Sequence, residues 1–224
     1  MSLDDTTMTG ATRIIAIRHG ETAWNVATRL QGHLDIGLNE RGQWQAQRAA
    51  EALADEDIAA IYTSDLSRAR ATAQAIADRT SNAGARHVHP HTGLRERGFG
   101  IFEGQTYAQI ATGWPEESRR WRQRDPQFAP HGGESLLQVR DRVERTVNAI
   151  ASQYIGSQIV LAAHGGVMDA LYRLATRQDI ESPRTWELGN AAINRLLWTP
   201  DGLSLVGWAD TRHLDETALD ETST

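Results

Sequence analysis

Histidines and arginines stand where the apolar, strand-like segments of this chain end. Arg18-His19-Gly20 follows an isoleucine-rich run, and Ala163-His164-Gly165-Gly166 follows a second apolar run. Arg68 and Glu96 come shortly after two further segments of strand character. Ligands of open α/β sheets bind outside the carboxyl ends of the strands. We therefore expect two histidines, two arginines and a carboxylate to converge on one site.

These residue types together can transfer a phosphoryl group. A neutral imidazole is a nucleophile toward phosphorus, and neighbouring arginines lower its pKa by disfavouring protonation. The same arginines hold phosphoryl oxygens and stabilise charge that develops in the transition state. The helix expected after Gly165 and Gly166 begins with N–H groups that favour an anion. A carboxylic acid can protonate the leaving alkoxide. The set predicts phosphoryl transfer through a phosphohistidine, with arginine in place of a metal.

Short apolar runs alternate with helical patterns along the chain. Strands are predicted at 13–18, 58–63, 86–91, 158–163, 191–198 and 203–210, and helices at 42–54, 67–80, 135–154 and 167–176. This alternation is typical of an α/β protein with a mainly parallel sheet covered on both faces. No linker rich in proline, glycine and serine divides the middle, so we predict one domain over residues 12–213. Residues 1–11 and the acidic segment 214–224 are expected to be flexible termini.

Composition excludes several classes of function. The 224 residues include 23 basic and 29 acidic side chains, for a formal charge of −6. This balance argues against a general nucleic-acid-binding protein. No apolar run approaches the roughly 20 residues of a membrane span. The absence of cysteine excludes disulfides and thiolate chemistry, and the absence of lysine excludes Schiff-base chemistry and the P-loop lysine. We predict a cytoplasmic protein.

The RHG signature and six further segments, in family order, resemble the histidine phosphatase, or phosphoglycerate mutase-like, superfamily. The signature lies within Arg18-His19-Gly20-Glu21-Thr22-Ala23-Trp24-Asn25. The other segments are Leu38-Asn39-Glu40-Arg41-Gly42, Ser64-Asp65-Leu66-Ser67-Arg68-Ala69, Leu94-Arg95-Glu96, Phe102-Glu103-Gly104, Gly132-Gly133-Glu134-Ser135 and Ala163-His164-Gly165-Gly166. The resemblance covers roughly residues 12–213 and implies a three-layer α/β/α sandwich.

The resemblance also implies a role for each central residue. His19 corresponds to the phosphorylated nucleophile, and Arg18 and Arg68 to the arginines that hold the phosphate. Glu96 corresponds to the general acid and base. His164 corresponds to the second histidine, which stabilises the transferring phosphoryl group.

Three more residues match phosphate contacts of the family. They are Asn25, six positions after the nucleophile, Gln31, twelve positions after it, and Gly165 through its backbone N–H. We expect no metal, because no acidic cluster with ligand spacing is present, and we expect no cofactor. The resemblance implies a small phosphorylated substrate as the partner, and the charge balance and the short apolar runs argue against nucleic acid and a membrane.

The residues after Glu96 favour hydrolysis over mutase chemistry. Phosphoglycerate mutases typically carry basic residues there that hold the carboxylate and second phosphate of the substrate. The segment 97–106 has one arginine here, and it contains Glu103-Gly104, the pattern of the phosphatase branch. The resemblance therefore implies a metal-independent phosphomonoesterase acting on small phosphorylated metabolites. The alternative is a cofactor-dependent phosphoglycerate mutase. A non-catalytic phosphate-binding module is disfavoured because all five central residues are present.

Several points stay open at the level of sequence. Glu103 is an alternative acid to Glu96. His87, His89 and His91 alternate and would face one side of a strand, as zinc ligands can, but an ordinary polar strand end is favoured. The arginines within 119–124 form either a solvated helix face or part of a lid, within the loop region 99–129 that governs specificity. The oligomeric state is open, a homodimer included.

Overall fold

The strands and helices lie within residues 10–215, the part of the chain that the computed structural model describes. The strands are β1 Thr12–Arg18, β2 Ala60–Thr63, β3 Val88–Pro90, β4 Gln158–Ala163, β5 Ile193–Thr199 and β6 Gly202–Asp210. The helices are α1 Ala23–Val26, α2 Glu40–Ala52, α3 Ser67–Arg79, α4 Tyr107–Gly113, α5 Pro115–Arg122, α6 Leu136–Ala151 and α7 Gly165–Thr176. The predicted flexibility of the termini concerns mainly residues 1–9 and 216–224, which lie outside the described residues.

The six strands form one sheet in the order β3-β2-β4-β1-β5-β6. The first four strands are parallel to one another. β5 pairs antiparallel with β1, and β6 pairs antiparallel with β5. The sheet is therefore mainly parallel, as predicted. The chain ends in an antiparallel pair because a tight turn at Pro200 and Asp201 joins β5 directly to β6, with no crossover helix.

Helices cover both faces of the sheet. Along β1, Ile14 and Ala16 pack with α6 and α7, whereas Ile15 and Ile17 pack against α2 and α3. This alternation follows from the two-residue period of a strand. The α/β/α three-layer sandwich is thus confirmed, with one apolar core on each side of the sheet.

A third, smaller apolar cluster lies outside the two main cores. It contains Leu30, Phe102, Ile110 and Phe128, with the rings of Phe102 and Trp121 stacked at 5.2 Å. The short helices α4 and α5 belong to this part of the chain. The sequence patterns did not predict α4, and they gave a helix around residues 119–124 only as one of two alternatives, because each helix spans only two turns. The starts of the two helices are set locally by a Thr106 capping box and by a proline in the first turn of α5.

The predicted ends of β2 and β3 differ from the observed ones. β2 begins at Ala60 instead of residue 58, and β3 has three residues where six were predicted. A 3-10 turn over Ala83–Arg86 occupies the beginning of the predicted β3. The central strands β1 and β4, which carry the two histidines, match their predictions within one residue.

Candidate active site

The pairing of β1 with β4 brings the two central histidines together. The register places Arg18 opposite Ala163, so His19 and His164 follow at neighbouring positions. The backbone N–H of His19 donates to Ala163 O at 3.0 Å. Their rings lie 5.2 Å apart between centroids, and both side chains are buried.

A backbone carbonyl fixes the tautomer of His19. Its Nδ1 lies 2.7 Å from the carbonyl oxygen of Gly20, so Nδ1 carries a proton that it donates. The lone pair of the neutral ring is then on Nε2. Burial lowers the pKa of His19 well below its usual value, and the positive charges of Arg18 and Arg68 lower it further. The ring is therefore held neutral and nucleophilic at Nε2.

Arg18 and Arg68 enter the site from two different elements. Arg18 is the last residue of β1, and its Nη1 donates to Leu188 O. Arg68 lies in the first turn of α3, is fully buried, and donates to Leu34 O at 2.9 Å and to Gly32 O at 2.8 Å. Burial lowers the pKa of both guanidinium groups, and the charge of Glu96 opposes this shift.

Buried polar atoms without partners surround the nucleophile. They are Nε of Arg18, Nε of Arg68 and both ring nitrogens of His164. Leaving a buried donor unsatisfied costs about 1–3 kcal/mol per group. An oxyanion placed beside His19 would accept hydrogen bonds from the Nε–H groups of Arg18 and Arg68 and from the one N–H of a neutral His164 ring, which would offset that cost. The arrangement is suited to a tetrahedral anion such as a phosphoryl group.

Glu96 lies at the same end of the sheet, on the segment that follows β3. Its Oε1 accepts hydrogen bonds from the backbone N–H of Arg97 at 2.8 Å and of Gly166 at 2.9 Å. A Cβ at position 166 would lie 2.4 Å from Oε1 of Glu96, so a residue larger than glycine would displace this carboxylate. Glu103 does not line this cavity; its Oε1 accepts from the N–H groups of His33 and Phe99, each at 3.0 Å.

The three remaining predicted contacts also line the cavity. Asn25 uses Oδ1 in a capping box with Thr22, which leaves its Nδ2 as the free donor. Gln31 is buried, and its Oε1 has no partner. Gly165 begins α7; the N–H of Gly166 is bound to Glu96, and the N–H of Gly165 is available for an anion.

The site forms a cavity of about 450 Å³ that extends well beyond these residues. Six arginines but only two carboxylates line it: Arg18, Arg29, Arg68, Arg97, Arg124 and Arg184 against Glu96 and Asp169. Trp24, Tyr107 and Trp121 supply aromatic surface. The sequence reasoning missed Arg184, Asp169 and Tyr107, since no motif marks them.

Of the arginines within 119–124, one lies on an exposed helix face and another reaches the cavity, the two alternatives that the sequence left open. Arg119 is exposed and pairs with Glu116 at 2.5 Å. Arg124 instead has a left-handed backbone, φ 53°, and reaches the cavity, where Nη2 donates to Asp169 Oδ2 at 3.0 Å.

Asn190 is another residue that the sequence analysis missed. Its Nδ2 donates to the carbonyl oxygen of His19 at 2.8 Å and so holds the backbone of the nucleophile in place.

The three alternating histidines do not gather as a ligand set. The rings of His87 and His89 touch edge to face at 4.7 Å, but Nδ1 of His91 accepts the backbone N–H of Gly93. Within residues 10–215, no group of three or more histidine and acidic side chains is arranged to hold a metal ion.

No helix within residues 10–215 has the length and apolar character to cross a membrane.

Comparison with known proteins agrees with this geometry. Residues 14–211 match the sequence profile of the histidine phosphatase superfamily (branch 1). The chain is 37% identical over 209 residues to a phosphoglycerate mutase-like protein 4 of Arabidopsis thaliana, covering 92% of this chain and 88% of that one. It is also 37% identical over 188 residues to a glucosyl-3-phosphoglycerate phosphatase of Mycolicibacterium vanbaalenii, covering 80% and 81%.

A solved structure of a mycobacterial glucosyl-3-phosphoglycerate phosphatase superposes on the chain with a TM-score of 0.79. The identity is 34%, and the match covers 90% of this chain and all of that one. The chain therefore belongs to the histidine phosphatase superfamily.

Proposed function

We propose that this protein is a phosphomonoesterase that hydrolyses small phosphorylated metabolites through a phosphohistidine on His19. The observation that carries the proposal is the set of buried, unpartnered donors of Arg18, Arg68 and His164 around a histidine whose Nε2 is free to attack. The similarity to named phosphatases over most of the chain supports the same activity.

In the first step, Nε2 of His19 attacks phosphorus and the bond to the ester oxygen breaks. The proton on Nδ1 stays hydrogen-bonded to Gly20 O, which stabilises the positive charge that the ring gains. Arg18, Arg68 and His164 hold the oxygens of the transferring group. Glu96, protonated in the substrate complex, gives its proton to the leaving alkoxide, and the alcohol departs.

In the second step, the Glu96 carboxylate takes a proton from water. The water oxygen attacks the phosphohistidine, the P–N bond breaks, and His19 recovers its lone pair. Inorganic phosphate leaves, and Glu96 is again protonated for the next turnover. No group besides these side chains is needed to balance the reaction. A cytoplasmic location, the single-domain organisation and the oligomeric state stay predictions.

A phosphate-release screen tests the proposal. The purified chain is assayed against phosphorylated sugars, polyols, hydroxy acids and amino acids, with His19→Ala as the control. We expect monoester hydrolysis that the variant lacks. The mutase alternative is tested by adding 2,3-bisphosphoglycerate to 3-phosphoglycerate; efficient isomerisation in place of phosphate release would reverse the assignment.

A further inference from the structure

The connection between α7 and β5, residues 177–192, contacts the nucleophile and its neighbouring arginine from one side. The connection contains neither a helix nor a strand. Nη1 of Arg18 donates to the carbonyl oxygen of Leu188. Nδ2 of Asn190 donates to the carbonyl oxygen of His19 at 2.8 Å. The direction of the Arg18 guanidinium therefore depends on the position of Leu188.

Arg173 and Arg124 hold the first half of this connection by its carbonyl oxygens. Nη2 of Arg173 donates to Ser182 O at 2.8 Å, and Nη1 of the same side chain donates to Asp179 O. Nε of Arg124 donates to Ile180 O at 3.0 Å. Because a backbone carbonyl carries no net charge, these contacts fix the chain without neutralising either guanidinium group.

One carboxylate binds both of these arginines. Oδ2 of Asp169 accepts from Nη2 of Arg124 at 3.0 Å and from Nε of Arg173 at 3.1 Å. Asp169 is 9% exposed and Arg173 is 3% exposed. Among the described residues, no other aspartate or glutamate forms an ion pair with either arginine. Since a buried charge needs a partner of opposite charge, Asp169 is the group that keeps both arginines in this arrangement.

Trp186 links Arg173 to the part of the connection that contacts Arg18. The guanidinium of Arg173 lies 4.7 Å from the centroid of the Trp186 ring, which also stacks on the ring of Tyr172 at 4.1 Å. Both Arg173 and Tyr172 belong to α7. Leu188 follows Trp186 by two residues. A displacement of Arg173 would therefore reach Leu188 and the guanidinium that Leu188 orients.

From these contacts we infer that Asp169 is a positioning residue for the phosphate site. It holds Arg124 and Arg173, and through residues 177–192 it sets the direction of the Arg18 guanidinium. Asp169 lines the cavity, but a carboxylate in direct contact with a phosphate would repel it, so its effect passes through the arginines that it binds. The inference rests on the proposed function, in which Arg18 holds the transferring phosphoryl group.

The test starts from the direction in which Asp169→Asn changes the binding of inorganic phosphate. The substitution removes a negative charge from the wall of an anion site, which by charge alone should strengthen binding. We expect calorimetry to show binding about 10-fold weaker, because Arg18 is no longer held in place. kcat/KM should fall by a similar factor on alkyl and on nitrophenyl phosphates, since the general acid is unchanged. Asp141→Asn, which breaks an exposed ion pair with Arg140 outside the cavity, should change neither quantity.

A double-mutant cycle with Arg18→Gln determines whether the effect passes through Arg18. In the Arg18→Gln background, Asp169→Asn should weaken phosphate binding by less than about twofold. Two losses that multiply in full would show that Asp169 acts independently of Arg18, and the inference would be wrong. Melting temperature is measured for all four proteins. A lower melting temperature with unchanged phosphate binding would mean that Asp169 supports folding only.

Arg173→Lys takes the place of Asp169→Asn in the cycle if that variant does not fold. The lysine keeps the charge but lacks the fork that reaches Asp179 O and Ser182 O, so we expect the same weakening of phosphate binding.

The remaining outcomes separate the inference from the proposed function. Tighter phosphate binding by Asp169→Asn would overturn the inference and leave the phosphatase function standing. If wild type hydrolyses no monoester, the proposed function fails, and the phosphate-binding cycle still decides the inference. If wild type binds no inorganic phosphate, Arg18 holds no oxyanion and the inference is wrong.

Discussion

His19 and His164 face each other with ring centroids 5.2 Å apart at an angle of 60°, both buried and both beside Arg68. Burial lowers the pKa of each ring well below 6.5. Arg18 and Arg68 add to the shift at His19, and His19 and Arg68 add to it at His164. Both rings are therefore neutral in the free enzyme, which leaves His19 able to attack phosphorus and His164 able to donate an N–H to the transferring phosphoryl group.

This relationship predicts how the stability of the free enzyme depends on pH. Both folded-state pKa values lie below 6.5, so the unfolded chain binds more protons than the folded one as pH falls through 6.5. The free energy of unfolding should therefore decrease as pH falls below about 6.5, with the full contribution present above it. Denaturant titrations from pH 7.5 to 5.5 measure this slope. His164→Gln should make it shallower, and an unchanged slope would show that His164 titrates normally.

A covalent adduct on His19 is the second expectation. Rapid quenching with labelled substrate should trap a phosphoenzyme that is acid-labile and base-stable. His19→Ala should abolish it and reduce turnover by about 10⁴-fold or more, because the nucleophile acts as part of a unit. His131→Ala is the matched control, an exposed histidine outside the cavity. Label on any other residue would contradict the mechanism.

Sequence was sufficient for the residues that sit at strand ends. The sequence shows β1 and β4 as buried apolar runs, and two neighbouring parallel strands bring together the residues that follow their carboxyl ends. For this reason the sequence predicts that His19 and His164 lie close to each other. Arg68 follows for a similar reason, because it lies in the first turn of the helix after β2. The preference for Glu96 over Glu103 as the acid stays a prediction; the structure places Glu96 in the cavity, whereas Glu103 accepts backbone N–H groups outside it.

The arginines that line the cavity from outside the recognised segments, Arg124 and Arg184, could not be predicted in the same way. Phosphatase function was inferred partly because 97–106 contains a single arginine. Arg124 and Arg184 come from segments 27 and 87 residues further on than Arg97 and reach the cavity through loop conformation, including the left-handed backbone of Arg124. Such contacts follow from how irregular segments fold over the sheet, which neither a motif nor a periodic pattern encodes.

Independence from metal ions is the third prediction. The guanidinium groups of Arg18 and Arg68 can offset the charge of a phosphoryl group, the role that a metal takes in other phosphatases, and the single N–H of a neutral His164 can donate a hydrogen bond to it. Incubation with a chelator should leave phosphate release unchanged. Activity that is lost on chelation, restored by zinc and lost again in His89→Ala would instead assign a metal site to the three histidines on and beside β3.

Glu134 and Arg142 should act as positioning residues for the general acid. Arg142 donates to both oxygens of Glu134, at 2.9 and 2.7 Å, and its Nη1 donates to the carbonyls of Gly93 and Arg95 at 3.0 and 2.9 Å. Glu134 in turn accepts the N–H of Gly98 at 2.8 Å. Together they hold both sides of the segment that carries the acid.

Arg142→Met should therefore slow hydrolysis of alkyl phosphates by about 10-fold and hydrolysis of nitrophenyl phosphate much less, because only the alkyl alcohol needs a well-placed proton donor. Kinetics on both substrates, with melting temperature measured alongside, checks this. Arg145→Ala, one helical turn away and exposed, is the control. Equal losses on both substrates would mean that the pair supports folding only.

The last prediction assigns the acid itself. An alkyl alkoxide is a poor leaving group and needs a proton as the ester bond breaks, whereas a nitrophenolate leaves without one. General acid catalysis is worth about 10²–10⁴-fold, so Glu96→Gln should lose most of that factor on glycerol or sugar phosphates and little on nitrophenyl phosphate. The glutamine keeps an oxygen that can accept the N–H groups of Arg97 and Gly166, so the local fold should survive the change. Glu103→Gln is the matched control, since that carboxylate lies outside the cavity and should show no dependence on the leaving group. If the variant loses equally on both substrate types, Glu96 is not the acid, even though it lines the cavity beside the nucleophile.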